Sequence, residues 1–141
     1  MTLPELYDCT PEERNIVLRG LNEYNLKQVP ATLPGWWIKL EYVMKNDRQE
    51  VIAGILSELG YWCGLEVKIL WVSEEWRNLG LGKRLLLETE KNAKAKGAVK
   101  SFLDTFDFQA KEFYLKNGYE VFGTLDNFPE GHKRYYMQKL L

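Results

Sequence analysis

The segment Arg77-Asn78-Leu79-Gly80-Leu81-Gly82-Lys83 joins an apolar, β-rich stretch to a long helical pattern. The preceding residues Leu65–Ser73 predict a strand, and residues Gly80–Lys96 predict a helix. The start of a helix leaves about four backbone N–H groups without intrahelical partners, and the peptide dipoles place roughly half a positive charge there. Because Gly80 and Gly82 have no Cβ, an anion can approach these groups closely. The segment therefore predicts either a phosphate-binding turn or only a tight turn.

Composition sets the bounds of the interpretation. The 141 residues suit one domain over positions 1–141, and the charges nearly cancel, with a formal net charge of −1. We therefore expect neither a nucleic-acid surface nor a disordered tail. The sequence has no apolar run of transmembrane length and no signal-peptide pattern, so we expect a cytoplasmic protein without a membrane partner. Cys9, Cys63 and His132 do not form a metal-ligand spacing, and no metal is expected.

The remaining patterns predict a mixed sheet with flanking helices. Predicted strands are Thr2–Tyr7, Trp36–Lys45, Glu50–Leu59, Leu65–Ser73 at the end of a run from Tyr61, Val99–Thr105, Tyr119–Leu125 and Lys133–Leu141. Predicted helices are Thr10–Asn25, Gly80–Lys96 and Phe108–Lys116. Glu13 completes a capping box with Thr10, and Asp107 is a candidate cap for the third helix. The first three long strands predict an antiparallel meander, and the strand–helix–strand unit around Gly82 predicts two parallel neighbours.

Two motifs together resemble the GNAT superfamily of acetyl-CoA-dependent N-acetyltransferases. Residues Arg77–Gly82 are similar to its acetyl-CoA signature, in which Gln or Arg is followed after two residues by Gly, one further residue, and Gly or Ala. Residues Asp107–Tyr119 are similar to a second motif of the family, which contains Asn, Ala and Tyr and ends with Gly followed by an aromatic residue. The resemblance implies an α/β fold of the α+β type, with a mixed central sheet of six to seven strands. It also implies that the family's fourth and fifth strands, here Leu65–Ser73 and Val99–Thr105, splay into a V.

The resemblance further implies how a cofactor is held. The backbone from Arg77 to Lys83 would hold the pyrophosphate of acetyl-CoA, the co-substrate, and the strand around Leu70 would pair with the pantetheine arm. A backbone N–H group in this strand would polarise the acetyl carbonyl. The cofactor-binding residues implied are Leu70, Trp71, Val72, Arg77, Asn78, Leu79, Gly80, Leu81, Gly82, Lys83, Asp107 and Phe113. Asp107 departs from the family's Asn, and an ionised Asp can only accept hydrogen bonds.

Two residues are candidates for proton transfer. Tyr114 matches the family tyrosine that protonates the leaving thiolate, although an aromatic residue on a short helix is also typical of a core. Glu66 lies eleven residues before Arg77, at the spacing of the catalytic glutamate in the histone-acetylating branch. Its apolar neighbours favour a raised pKa, and a solvated surface charge is the alternative. Glu41 and Glu58 are weaker candidates for the same role.

The acceptor is less constrained than the cofactor. A small-molecule or peptide amine is expected, and an aromatic wall of Trp36, Trp37, Tyr61 and Trp62 is one candidate for its recognition. Glu41, Glu58 and Glu66 would favour a cationic amine if they share one face of the sheet. A catalytically inactive CoA-binding module is the alternative function, and a homodimer is left open.

Overall fold

The computed structural model describes residues 1–33 and 37–141. The chain folds as two compact units, Met1–Thr32 and Leu33–Leu141. The first unit contains one helix, α1, from Pro11 to Gln28. The second contains a six-stranded sheet and the remaining helices. Across the described residues, no helix has both the length and the apolar character needed to span a membrane.

The first helix begins as predicted. The Oγ1 atom of Thr10 accepts a hydrogen bond from the backbone N–H of Glu13 at 3.2 Å, and the backbone N–H of Thr10 donates to the Glu13 carboxylate at 2.9 Å. This reciprocal capping box satisfies two backbone donors that the helix cannot pair itself. The helix ends three residues later than expected. The predicted strand Thr2–Tyr7 was wrong, because residues 1–10 form no strand.

The second unit alternates strands and helices in an order that matches the predicted one. Its elements are β1 (Trp37–Lys45), β2 (Val51–Gly60), β3 (Gly64–Val72), a 3₁₀ turn (Glu74–Trp76), α2 (Leu81–Ala95), β4 (Lys100–Phe106), α3 (Lys111–Lys116), β5 (Glu120–Asp126) and β6 (Lys133–Leu140). The strand order across the sheet is β1-β2-β3-β4-β6-β5. Strands β1, β2 and β3 form the predicted antiparallel meander, and β3 and β4 are the predicted parallel neighbours joined through α2. The predicted fold class is confirmed, with six strands.

The parallel pair separates part-way along its length. Pairing between β3 and β4 covers three positions, Gly64 with Lys100, Leu65 with Ser101 and Glu66 with Phe102. Beyond these pairs, Val67 and residues 69–72 of β3 pair only with β2, and residues 103–106 of β4 pair only with β6. The two strands therefore open into a slot. This is the V that the resemblance implied.

A bulge lies at the start of the open part of β3. Leu56 pairs with Ile69, but the next residue of β2, Ser57, pairs with Val67. Lys68 is thus an extra residue on β3, and it is exposed. The bulge changes the core-facing positions of β3 from odd to even residue numbers. Bulges re-aim side chains and backbone groups next to functional sites, and nothing in the alternation of the sequence predicted this one.

A buried polar network supports the core beside the slot. On α2, the buried residues are Leu85, Leu86, Thr89, Ala93 and the charged Glu90. Its carboxylate accepts hydrogen bonds from the Tyr119 hydroxyl at 2.6 Å and from Lys139 Nζ at 2.6 Å.

Tyr119 joins this network to β4. Its hydroxyl lies 2.7 Å from the Ser101 hydroxyl, and its ring packs edge-on against Tyr114, with the ring centroids 5.6 Å apart. A buried carboxylate is tolerated only when it is paired and hydrogen-bonded. The network therefore ties α2, β4 and β6 to the ring that supports Tyr114.

We expect Tyr119→Phe to lower the free energy of unfolding by about 1–3 kcal/mol, because it removes one of the hydrogen bonds that satisfy the buried Glu90. Urea denaturation followed by tryptophan fluorescence would measure the change. Tyr136→Phe, at a half-buried position of β6, removes a hydroxyl outside this network; it is the matched control and should cost less than about 0.5 kcal/mol. Equal stability of the two variants would contradict the role assigned to the network.

Candidate active site

A cleft of about 830 Å³ lies at the end of the slot, where β3 leads into α2 and where α3 begins. Its walls are Leu70, Trp71, Val72, Trp76, Arg77, Asn78, Gly80, Leu81, Gly82, Lys83, Phe108, Gln109, Ala110, Phe113, Tyr114, Lys116 and Asn117. The cleft therefore combines the open edge of a strand, the start of a helix and an aromatic wall.

The start of α2 has the form of an anion cradle. Gly80 is its N-cap residue and has φ of 77°, a left-handed conformation that favours glycine. No side chain caps this end of the helix, and the first helical N–H groups lie in the wall of the cleft. Such groups, together with the helix dipole, bind phosphate and carboxylate. An anion is the ligand that this part of the cleft suits best.

Gly82 sets the width of the cleft. A Cβ atom at this position would lie 3.6 Å from the ring of Phe113 and 3.7 Å from a methyl group of Val72. A methyl group would make ordinary van der Waals contacts there, whereas a longer side chain would have to extend into the space between β3 and α3. The glycine therefore keeps this passage open.

Positive charge surrounds the cradle. Arg77 donates a hydrogen bond from Nε to the carbonyl oxygen of Val72 at 3.0 Å, which ties the loop to the end of β3. Lys83 follows the second glycine, and Lys116 reaches the cleft from the last turn of α3. Three cationic side chains on separate elements favour a ligand with more than one negative charge.

Tyr114 lies in the cleft wall and is largely buried. Its ring packs edge-on against Phe113 on one side and Tyr119 on the other. Burial, and to a smaller extent the negative charge of Asp104, raises the pKa of Tyr114 to about 12. The phenol therefore stays protonated near neutral pH and is available as a proton donor.

Asp107 does not cap the third helix, and that prediction was wrong. Helix α3 begins at Lys111 with Ala110 at the N-cap position and no capping side chain. The Asp107 carboxylate is instead hydrogen-bonded to Nδ1 of His132 at 2.9 Å and to the backbone N–H of Lys133 at 3.0 Å. Desolvation raises the pKa of Asp107, but these hydrogen bonds outweigh it and hold the pKa below its ordinary value. Asp107 therefore fixes the loop before β6.

Comparison with known proteins agrees with this geometry. The family model described as an acetyltransferase (GNAT) domain matches residues 39–121. The chain is 33% identical to the blasticidin-S acetyltransferase of Streptomyces morookaense over 97 residues, which cover 68% of this chain and 71% of that protein. The chain belongs to the GNAT acetyltransferase family.

Solved structures show the same fold for this acetyltransferase. An acetyltransferase from Bacillus cereus is 31% identical, with a TM-score of 0.87 over 98% of each chain. A Bacillus anthracis protein assigned as a streptothricin acetyltransferase, solved in complex with acetyl coenzyme A, is 20% identical, with a TM-score of 0.64 over 73% of this chain and 62% of that one. The likeness to this second structure is one of fold alone.

The structure of this GNAT acetyltransferase brings most of the predicted cofactor residues together. Those in the cleft wall are Leu70, Trp71, Val72, Arg77, Asn78, Gly80, Leu81, Gly82, Lys83 and Phe113. Leu79 is exposed, and neither Leu79 nor Asp107 lines this cleft. The cleft-lining residues that sequence reasoning missed are Trp76, Phe108, Gln109, Ala110, Lys116 and Asn117. The sequence gives no distinct signal for Lys116, because a cation in the last turn of a helix also complements the helix dipole.

The predicted base, Glu66, lies at the last position where β3 and β4 are paired, opposite Phe102. Its antiparallel neighbour is Glu58, which forms an ion pair with Lys68 at 3.0 Å. The hydrogen bond to Glu58 raises the pKa of Lys68 despite opposing desolvation, and the charges of Glu58, Glu66 and Glu41 raise it further. The three carboxylates thus share one face of the meander, around a lysine that partly neutralises them.

Of the predicted aromatic wall, Trp36 lies outside the described residues. The rings of Trp37 and Trp62 both contact Tyr61, with centroid separations of 5.9 Å and 4.8 Å. These three rings form one cluster where β1, β2 and the turn after β2 meet. They are absent from the walls of the cleft beside α2.

The raised pKa of Tyr114 gives a direct test. Alkaline titration at 295 nm should give superimposable curves for the wild type and Tyr114→Phe up to about pH 11, because burial keeps the Tyr114 phenol neutral in this range. The curves should separate only towards pH 12. If the difference between the two curves instead had a midpoint near pH 10, the ordinary pKa of tyrosine, Tyr114 would be exposed to solvent.

Proposed function

We propose that this acetyltransferase transfers the acetyl group of acetyl-CoA to a primary amine by direct attack in a ternary complex. One observation carries the proposal: a single cleft contains the open edge of β3, an uncapped helix start and the protonated phenol of Tyr114. These are the parts needed to bind a phosphorylated thioester, to stabilise charge on its carbonyl oxygen and to protonate its leaving sulfur.

The residues of the cleft fit the cofactor. We assign the pyrophosphate to the first N–H groups of α2, with Arg77, Lys83 and Lys116 around it, because helix starts and cations favour phosphate. The apolar passage between Val72 and Phe113 suits the pantetheine arm. Acetyl-CoA would supply the acetyl group in activated form, as a thioester.

The chain's own groups would then handle charge and protons. Backbone N–H groups of the open edge of β3 stabilise the negative charge that develops on the acetyl oxygen as the C–N bond forms. Tyr114 would give its proton to the sulfur as the C–S bond breaks, and the N–H proton that the amine loses after the C–N bond forms would restore the phenol directly or through water. An amine that arrives as a cation must first lose one other proton to a general base. Glu66 stays the proposed general base on the amine side, although it lies outside the cleft wall, so a water chain would have to connect it to the amine.

The acceptor that we propose is a small cationic amine. The support comes from the named relative, a blasticidin-S acetyltransferase, and from the three carboxylates that share the open face of the meander. Local negative potential raises the concentration of a cation near the surface. The lysine side chain of a peptide is also a cationic amine that these carboxylates would attract, so the panel of amines includes a lysine peptide.

Turnover is tested by following release of free thiol from acetyl-CoA over a panel of amines that includes blasticidin S, spermidine and a lysine peptide. The wild type should acetylate at least one cationic member. Tyr114→Phe should lower kcat by about 10²–10⁴-fold on it, the usual contribution of a positioned general acid. Tight CoA binding with no turnover of any amine would instead support a catalytically inactive CoA-binding module.

Cofactor binding is tested at Gly82. Gly82→Glu should abolish CoA binding in isothermal titration calorimetry, because the side chain fills the passage and repels phosphate. Gly82→Gln adds similar bulk without charge and should bind more weakly than the wild type but more tightly than Gly82→Glu. Unchanged affinity in Gly82→Glu would overturn the assignment of the cradle.

A further inference from the structure

A carboxylate on the far side of the slot has no part in the cofactor cleft. Asp104 lies on β4, two residues beyond the last position at which β4 pairs with β3. Its neighbours Leu103 and Thr105 are buried in the core, whereas Asp104 is exposed. Because side chains alternate along a strand, Asp104 stands on the face of the sheet opposite the core.

Arg134 holds this carboxylate in a fixed position. Its Nε atom donates a hydrogen bond to Oδ1 of Asp104 at 2.9 Å, and its Nη2 atom forms an ion pair with the same oxygen at 2.8 Å. The guanidinium group also lies over the rings of Phe106, Phe128 and Tyr136, at 5.3, 5.8 and 5.4 Å from their centroids. A guanidinium held by three rings and a carboxylate has little freedom to move. Asp104 is therefore oriented before any ligand arrives.

One oxygen of this carboxylate remains available. Both contacts from Arg134 are made to Oδ1, and Oδ2 has no hydrogen-bond partner among the residues that the structure describes. Two other carboxylates, those of Asp107 and Glu58, differ in this respect. Both oxygens of Asp107 accept hydrogen bonds, and Glu58 is paired with Lys68.

Asp104 also lies close enough to the proposed acid to affect it electrostatically. Tyr114 belongs to the core cluster and lines the cofactor cleft, and the charge of Asp104 contributes to raising the pKa of Tyr114. The carboxylate and the phenol thus stand on opposite sides of the sheet, beside the part of β4 that has separated from β3. A group bound to Oδ2 would lie at the slot on the side away from the cofactor.

We propose that Asp104, fixed by Arg134, binds the amino group of the acceptor at the open face of the slot. The inference rests on the proposed function, since it assigns the acceptor side of the same reaction. An N–H of the amine donates to Oδ2, and the rings of Phe106 and Phe128 border the position that the rest of the acceptor would occupy. Arg134 acts as a positioning residue. The site favours amines that arrive as cations over neutral nucleophiles such as alcohols.

Steady-state kinetics with blasticidin S and with spermidine test this assignment. Asp104→Asn should lower kcat/KM by about 10- to 100-fold, mostly through a higher KM for the amine, because it replaces a charged acceptor of the hydrogen bond by a neutral one. Asp104→Glu should recover part of the loss. Arg134→Lys keeps the positive charge but replaces the planar guanidinium group by an ammonium group, which holds Asp104 less firmly. A several-fold rise in KM for the amine with unchanged kcat is therefore expected.

The controls separate the acceptor site from the fold and the cofactor. Asp126→Asn removes an exposed carboxylate that pairs with Lys133 at 3.6 Å and should leave the KM for the amine unchanged. All four variants should bind CoA with a Kd within twofold of the wild type, which also shows that they are folded. If the wild type acetylates an amine and Asp104→Asn has the same KM for that amine, this inference is overturned but the proposed function is not. Failure of the wild type on every amine would overturn the proposed function with it.

Discussion

Strands β3 and β4 can pair only as far as Glu66 and Phe102, and the site depends on this limit. Backbone N–H and C=O groups of a parallel pair normally satisfy each other, so a pair that separates leaves polar groups free at the centre of a sheet. Each strand is held from its other side, β3 by β2 and β4 by β6. The opening is thus a fixed feature of the sheet. It presents backbone N–H and C=O groups to a ligand between β3 and β4, in the interior of the sheet rather than at its outer edge.

The elements around the slot supply complementary parts. On the core side, α2 begins at a left-handed glycine and directs its first N–H groups into the cleft. Tyr119, tied to Glu90 and Ser101, supports the ring of Tyr114 from behind. On the other side, Arg134 fixes Asp104. Buried polar networks constrain position when every member is satisfied, so Tyr119 is fixed behind the ring of Tyr114. The exposed carboxylate of Asp104 is oriented instead by its ion pair with Arg134.

The sequence predicted those features that depend on neighbouring residues. It did not predict those that depend on contacts between residues far apart in the chain. The capping box at Thr10 and the glycines before α2 follow from neighbouring residues, and the structure agrees with them. Glu90 resembles a solvated helix residue until the sheet brings Tyr119 and Lys139 to it. Asp107 resembles a helix cap until the pairing of β4 with β6 brings His132 within reach. Whether Glu66 is the base stays a prediction, since its strand position alone does not connect it to the cleft.

Amide hydrogen exchange on binding of CoA tests the central claim most directly, because it reports on the backbone groups that the slot and the helix start leave unpaired. Exchange should become slower in residues 67–72 of β3 and in the first turn of α2. The meander strand β1 should be unaffected, since it takes no part in the cleft. Protection confined to other segments, with β3 and the start of α2 unchanged, would contradict the account.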